Sequence, residues 1–164
     1  MIPDKDAAFS YKPIYLIFVY ITLVTLLIAL VTNNWHNFMP NFMAGFFLIF
    51  SFFKILDLKG FANGYSNYDL IAKKIPAYAY IYPFLEIFFG LAYIVVGNNI
   101  ALNIFVFIVM LVSTFGVIKS KLLKQQFTCA CVGTFLKVPL GNIAIIENLL
   151  MIVMSFLMIF YKYH

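Results

Sequence analysis

Five long apolar stretches constrain the fold of this chain more than any other feature of its sequence. Each has close to the ~20 residues that an α-helix needs to cross ~30 Å of hydrocarbon. They are apolar on every face, whereas the strands of a membrane β-barrel are shorter and alternate apolar with polar residues. With 65% hydrophobic and only 10% charged residues, the sequence predicts an all-α membrane protein, a bundle of five transmembrane helices. The stretches are 14–31, 38–56, 78–96, 100–118 and 143–161.

The lysines are distributed unevenly between the two faces that five spans would define. The residues before the first span and the two longer connections, 57–77 and 119–142, share one face and carry nine of the eleven basic residues, and a tenth, Lys54, lies at the end of the second span beside this face. An excess of lysine beside span ends marks the cytoplasmic side. The sequence therefore predicts a multi-pass protein of the bacterial inner membrane, with a cytoplasmic N-terminus and a periplasmic C-terminus. The net charge of +5 fits attraction to anionic lipid of the bilayer, and no nucleic-acid partner is implied.

The connection between the second and third spans has an amphipathic pattern. Apolar and aromatic residues recur at spacings of three and four, while the charged residues fall on other faces. The pattern predicts an interfacial helix that ends at Pro76. Such a helix serves either as a membrane-surface connector or as a docking surface for a membrane-protein partner. The apolar face comprises Phe61, Tyr65, Tyr68, Ile71 and Ile75, and the charged residues are Asp69, Lys73 and Lys74.

Three ionisable residues fall inside the apolar stretches, where a charge costs about 3 kcal/mol on insertion scales. Glu86 is the deepest and lies one turn after Pro83, which can kink the span. We expect Glu86 to act in proton transfer or ligand contact, with Lys54 as its candidate partner and Glu147 as a further supporting group. The structural alternatives are that Lys54 snorkels to the interface, that Glu86 only bonds a neighbouring helix, and that Glu147 stabilises the start of its helix through the dipole.

Both cysteines of the chain lie two positions apart, just before the last span. Cys129 and Cys131 share one polar connection, and Gly133 supplies the backbone freedom that a turn needs there. In a non-helical loop the two thiols can approach each other or one small ion. Three uses fit this spacing: a redox-active dithiol, a soft-metal site formed by the two thiolates, or two inert thiols. The candidate catalytic residues are therefore Cys129, Cys131 and Glu86, and the candidate metal ligands are the same two cysteines.

Two segments of the chain carry a family resemblance. The pattern PNFMAGFFLIFSFFKILDLKGF, followed by the amphipathic connection and YIYPFLEIFFGLAYI, resembles the core of the DoxX-like superfamily of small four-helix membrane proteins. FTCACVGTFLKVPLGNIAIIENLLMI is similar to the C-x-C segment and following helix of the MauE branch, the methylamine-utilisation proteins. Val132 stands where that branch has phenylalanine. The resemblance covers about residues 39–160.

The resemblance implies a redox-associated inner-membrane protein with a four-helix core and one additional N-terminal span. The MauE branch is linked to maturation or disulfide handling of methylamine dehydrogenase. Similar proteins occur joined to heavy-metal-associated domains, which implies copper or mercury handling instead. The expected division of the chain is a cytoplasmic leader over 1–13, the additional helix and short loop over 14–37, the DoxX/MauE-like core over 38–161, and a tail over 162–164.

Three functions follow from these observations. In the first, the cysteine pair cycles between dithiol and disulfide, and a quinone or a partner thiol protein completes the circuit. In the second, the pair takes up or releases a soft metal ion, with a metal-carrier protein as partner. In the third, the chain is a non-catalytic assembly subunit bound to another membrane protein. No hydrolase or transferase constellation is present in the sequence, and no other cofactor is evident.

Overall fold

The computed structural model describes residues 12–66, 69–122 and 140–161. Within these ranges the chain is helical and contains no strand, so the prediction of an all-α protein is confirmed. A short 3-10 helix, Trp35–Asn37, joins the first two helices. The α-helices are α1 (Lys12–Thr32), α2 (Phe38–Leu56), α3 (Leu58–Tyr65), α4 (Pro76–Val96), α5 (Ile100–Leu122) and α6 (Leu140–Tyr161).

Four of these helices, α1, α2, α4 and α5, are long and apolar enough to cross a membrane. α6 is apolar over the shorter stretch Ile145–Phe160. The chain is therefore a multi-pass membrane protein by length and composition, and the crossing by α6 that would make five spans stays a prediction.

The helices pack as antiparallel neighbours. α2 packs along α4: Lys54 near the end of α2 meets Glu86, while Phe47 meets Tyr93 further along α4, with ring centroids 6.3 Å apart. α2 and α4 therefore run in opposite directions. α5 and α6 follow the same rule, because Ser113 contacts Asn148 and Phe107 contacts Phe156. We call the end where α2 and α5 finish and α4 and α6 begin the α3 end of the bundle.

The outer surface of the described helices is rich in apolar side chains, and several polar side chains are buried between the helices. Ser51, Asn103 and Ser155 are fully buried between the helices, where their polar groups bond within the protein. Large apolar side chains instead face outward, among them Phe84, which is about half exposed. This pattern suits helices surrounded by lipid, since the hydrocarbon offers no partner for a polar group.

A single glycine allows the close approach of α2 and α4. A Cβ atom placed on Gly90 would lie 2.8 Å from Cγ of Leu48 and 3.2 Å from the carbonyl oxygen of Ala44. A side chain at this position would force Leu48 or the α2 backbone to move, and small residues at such contacts are typical of membrane helix packing. This contact sets the distance between α2 and α4 on which the buried polar groups described below depend.

The predicted interfacial helix is shorter than the pattern indicated. α3 ends at Tyr65, residues 67 and 68 lie outside the described ranges, and the chain from Asp69 to Ile75 forms hydrogen-bonded turns. The reason is that the carboxylate of Asp69 accepts hydrogen bonds from the backbone N–H groups of Ile71 and Ala72, which holds a turn instead of a helix. Asp69, predicted on a different face from the aromatic residues, is buried and accepts a hydrogen bond from the Tyr65 hydroxyl. α4 begins at Pro76, two residues before the predicted start of the third span, because proline is well suited to the first turn of a helix.

Replacement of Gly90 by isoleucine should loosen the pairing of α2 with α4. We expect Gly90→Ile to lower the free energy of unfolding by about 1–3 kcal/mol, because the added side chain cannot be accommodated without moving one helix. The measurement is thermal unfolding of the purified protein in detergent. Leu91→Ile is the matched control, since Leu91 is exposed. Equal melting temperatures for the two variants would contradict this account of the α2–α4 contact.

Candidate functional site

The centre of the site is a buried ion pair between α2 and α4. The ammonium nitrogen of Lys54 lies 2.5 Å from Oε1 and 2.6 Å from Oε2 of Glu86, so it donates to both carboxylate oxygens. The two side chains are only 7% and 6% exposed. The hydroxyl of Ser51 lies 3.3 Å from Oε2 of Glu86 and is a further donor to it. The sequence favoured Lys54 as the partner of Glu86, and the structure pairs them.

Local helix geometry explains how these three side chains meet. Ser51 and Lys54 are three residues apart on α2 and therefore lie on one face of that helix. Glu86 is a buried residue of α4, as is Pro83 one turn earlier. Because α2 and α4 are antiparallel, the last turns of α2 lie beside the first half of α4. Lys54 does not snorkel to the interface, since its side chain is enclosed by the protein.

Aromatic rings cover the ion pair on the side of the α3 end. The ammonium nitrogen of Lys54 is 5.6 Å from the ring centroid of Phe61 on α3 and 5.3 Å from that of Tyr82 on α4. Both distances fall within the ~6 Å over which a cation is attracted to the face of an aromatic ring. α3 thus folds back over the ion pair and shields it from the membrane surface.

A second set of polar groups continues from this aromatic cover to α5 and α6. The ring of Tyr65 stacks on that of Tyr82 with centroids 4.6 Å apart. Its hydroxyl donates to Oδ2 of Asp69 at 2.9 Å and lies 3.4 Å from the hydroxyl of Ser113 on α5. Ser113 in turn accepts from the side-chain amide of Asn148 on α6. Five helices therefore contribute to one buried polar cluster.

The electrostatics of this second set keep the tyrosine hydroxyl protonated. Burial raises the pKa of Tyr65 well above its usual range, and the neighbouring Tyr82 and Asp69 raise it further. Tyr65 consequently remains a hydrogen-bond donor to Asp69 at any physiological pH. The cluster as a whole holds a carboxylate bonded to an ammonium group, and a second carboxylate bonded to a phenol, in a region shielded from water. These are groups able to hold and exchange protons.

Glu147 lies on α6 and is also buried. It borders an apolar groove between α6 and α1. The idea that it stabilises the start of its helix through the dipole is wrong, because α6 begins at Leu140 and places Glu147 two turns inside. The dipole effect is confined to the first turn.

Cys129, Cys131 and Gly133 lie outside the described residues, within 123–139. Their predicted redox or metal-binding role therefore stays a prediction. α5 ends at Leu122 and α6 begins at Leu140, so the segment carrying the cysteines joins two helices at the α3 end. Among the residues that the structure describes, no group of three or more His, Cys, Asp or Glu side chains is placed to hold a metal ion.

Sequence reasoning missed most of the groups around the ion pair. Tyr82 precedes Glu86 by four residues and Ser51 precedes Lys54 by three, so helical spacing could have identified both as neighbours. The amphipathic pattern predicts Tyr65 and Asp69 as parts of one interfacial helix. Their bond to each other, and the proximity of Ser113, depend on α3 folding back over α4 so that the Tyr65 hydroxyl reaches α5, which no local pattern signals.

Comparison with known proteins identifies the family. The family model described as methylamine utilisation protein MauE matches residues 12–161. This chain belongs to the MauE family. The matched range includes α1 as well as every helix of the buried polar cluster. No curated protein and no solved structure matches the chain.

Removal of one partner of the ion pair in this MauE family protein should lower the free energy of unfolding more than removal of both partners. We expect Lys54→Met to lower the free energy of unfolding by about 3–5 kcal/mol, because it leaves the Glu86 carboxylate buried without its cation. The double variant Lys54→Met/Glu86→Gln should recover most of that loss. The measurement is a double-mutant cycle of unfolding in detergent.

Lys59→Met is the control for this cycle, because Lys59 is an exposed lysine on α3. It should leave stability within about 0.5 kcal/mol of the parent protein. Additive effects of the Lys54 and Glu86 substitutions would show that the two side chains do not interact as an ion pair.

Proposed function

We propose that this MauE family protein is an inner-membrane thiol redox protein in which Cys129 and Cys131 cycle between dithiol and disulfide. The observation that carries the proposal is the position of the two cysteines. They are the only cysteines of the chain, they are two residues apart, and their segment joins α5 to α6 at the end of the bundle that holds the buried polar cluster. A pair of thiols so placed suits oxidation or maturation of a partner protein.

The reaction we propose is thiol–disulfide exchange. The disulfide of Cys129 and Cys131 accepts two electrons and two protons from a dithiol of the partner protein, which becomes a disulfide. The reduced pair then passes two electrons and two protons to an acceptor, which is either a second thiol protein or a quinone in the membrane. Attack by a thiolate through a mixed disulfide is the ordinary route of such exchange.

The buried ion pair is proposed to serve the proton side of this cycle. Each oxidation of the dithiol of Cys129 and Cys131 releases two protons, and each reduction of their disulfide consumes two. Glu86 can hold a proton, and Lys54 lies within 2.6 Å of both its oxygens to receive or return one. Burying two charges in a membrane protein costs free energy, and apolar side chains of similar size would stabilise the fold equally well. The presence of the ion pair therefore supports a role beyond packing.

The orientation that we propose places the α3 end on the cytoplasmic side. Four exposed lysines of the described chain belong to this end, which fits the excess of lysine on the cytoplasmic side of membrane proteins. They are Lys59, Lys73, Lys74 and Lys119. Stable disulfides are rare in the cytoplasm, so Cys129 and Cys131 would be oxidised only transiently during turnover.

Soft-metal handling is the second candidate function, and the same orientation favours it. Two thiolates at the cytoplasmic side suit Cu(I), which prefers sulfur ligands. In that case the pair would receive or release the ion without an electron acceptor. A non-catalytic role as an assembly subunit is the third candidate, and it requires neither cysteine.

Thiol trapping in intact cells tests the proposed function. The pair is labelled with a membrane-impermeant maleimide before and after reduction, and with and without permeabilisation. Because the chain has no other cysteine, every mass shift reports on Cys129 and Cys131. We expect a fraction of the protein to be labelled only after reduction, and we expect that fraction to fall when the partner thiol protein is absent. The single variants Cys129→Ser and Cys131→Ser should each trap a mixed disulfide.

The other outcomes are distinguishable. Thiols that are always reduced, and that added Cu(I) protects from the maleimide, would replace the redox proposal with metal handling. If the double variant Cys129→Ser/Cys131→Ser retains full function in cells, the assembly role is correct and both thiol chemistries are wrong.

A further inference from the structure

The ion pair of Lys54 and Glu86 is enclosed by the protein, although the proposed function requires it to exchange protons. The two side chains are 7% and 6% exposed, and the rings of Phe61 and Tyr82 face the ammonium group from the α3 end. A proton therefore has to reach or leave Glu86 through other groups of the protein. Aromatic carbon cannot carry it, whereas hydroxyl and carboxyl groups can pass a proton along a series of hydrogen bonds.

The hydroxyl groups of Tyr65 and Ser113 form the outer part of such a series. Tyr65 donates its single hydroxyl proton to Oδ2 of Asp69 at 2.9 Å. Its oxygen can therefore only accept from the hydroxyl of Ser113, which lies 3.4 Å away. The side-chain amide of Asn148 donates to Ser113 and leaves the Ser113 proton for Tyr65. The hydrogen bonds from Ser113 onward thus all point toward Asp69.

Tyr82 connects this series to the ion pair. Its hydroxyl interacts with both Ser113 and the Glu86 carboxylate, so it has two alternative oxygen acceptors for one proton. It also faces the sulfur of Met110 at 3.9 Å, and a thioether is too weak an acceptor to hold that proton in place. Rotation of one O–H bond is therefore enough to direct the Tyr82 proton to Glu86 or to Ser113.

Asp69 is the end of the series nearest to the membrane surface. It lies in the hydrogen-bonded turns between α3 and α4, outside the helices that are long and apolar enough to span a membrane. Its own side chain is buried, but Leu70 beside it is exposed, and so is Lys73, whose N–H donates to the carbonyl oxygen of Asp69 at 3.1 Å. Asp69 is therefore the member of the series from which a proton passes most directly to or from the surface.

We propose that three hydroxyl groups relay protons between the ion pair and Asp69, at the α3 end of the bundle. They belong to Tyr82, Ser113 and Tyr65. When Glu86 gives a proton to the oxygen of Tyr82, Tyr82 passes its own proton to Ser113. Ser113 then passes its proton to Tyr65, and Tyr65 passes its proton to Asp69. Each hydroxyl loses one proton and gains one, so one proton moves from Glu86 to Asp69, and the reverse steps return it. This inference rests on the proposed function of the ion pair in proton exchange and names its route.

Exchange of the Lys54 ammonium protons with solvent measures the relay without the thiols. These protons leave through Glu86, whose two oxygens lie within 2.6 Å of the ammonium nitrogen. The full-length protein with isotopically labelled lysine is transferred in nanodiscs to heavy water, and the decay of the Lys54 signal, identified by its loss in Lys54→Met, is followed by NMR. We expect Tyr65→Phe and Tyr82→Phe, which keep the rings without the hydroxyl groups, to slow the decay about tenfold or more.

Tyr78→Phe is the matched control for these substitutions. Tyr78 belongs to the same group of rings, with its centroid 6.5 Å from that of Tyr65 and 5.9 Å from that of Tyr82, but its hydroxyl is not part of the relay. It should exchange at the parental rate. Asp69→Asn keeps an oxygen for the N–H groups of the turn but cannot carry a proton, so it should slow the decay as Tyr65→Phe does. Melting temperatures show that each variant is folded.

The direction of the change separates a relay from a contact that is only structural. If the Tyr65 hydroxyl only held α3 over the ion pair, its removal would loosen this cover, and Tyr65→Phe would exchange faster than the parent protein. Faster exchange in Tyr65→Phe, or exchange at the rate of Tyr78→Phe, would overturn the relay.

Failure of the relay is also distinguishable from failure of the proposed function. Slow ammonium exchange in Tyr65→Phe, together with thiol reoxidation at the parental rate in the same variant, would support the relay and reject its service to the thiols. Thiol reoxidation that slows in Lys54→Met/Glu86→Gln, together with ammonium exchange that Tyr65→Phe leaves unchanged, would retain the proposed function and overturn the relay as its route.

Discussion

The ion pair of Lys54 and Glu86 is the interaction on which the rest of this structure depends. It joins α2 to α4 at a point where neither charge reaches water, and the close approach at Gly90 sets the spacing that allows it. In a membrane a lone charge at this depth is strongly unfavourable, so each side chain requires the other. A buried ion pair is nevertheless no better for stability than matched apolar residues. Its presence therefore favours a chemical role.

The aromatic cover ties this pair to the other helices. Phe61 and Tyr82 face the Lys54 ammonium group, and Tyr65 carries the contact onward to Asp69 and Ser113. Any movement of α5 or α6 would disturb the hydrogen bonds at Ser113, and through the stacked rings it would reach α3. The cysteine segment connects α5 to α6. The contacts through Ser113 and the stacked rings are therefore a physical route by which the redox state of the thiols could be coupled to the ion pair.

Much of the fold could be predicted because hydrophobic length determines where membrane helices lie. The predicted span 38–56 coincides with α2, and the depth of Glu86 and Lys54 was enough to favour their pairing. The start of α6 was predicted three residues late, and this error made a dipole role for Glu147 look reasonable. The cluster around Tyr65 could not be predicted, because it depends on α3 folding back and on a turn held by Asp69. Those are tertiary contacts without a periodic signal.

The central claim is that the ion pair is kept for proton exchange with the thiol pair. The most direct test is the rate at which Cys129 and Cys131 are reoxidised after reduction in native membranes, measured in Lys54→Met/Glu86→Gln, the variant expected to keep the fold without the charges. The account predicts that the variant recovers most of the stability that Lys54→Met loses, and that it reoxidises at least about tenfold more slowly than the parent protein. Reoxidation at the parental rate in this folded variant would contradict the claim and leave the ion pair with a structural role only.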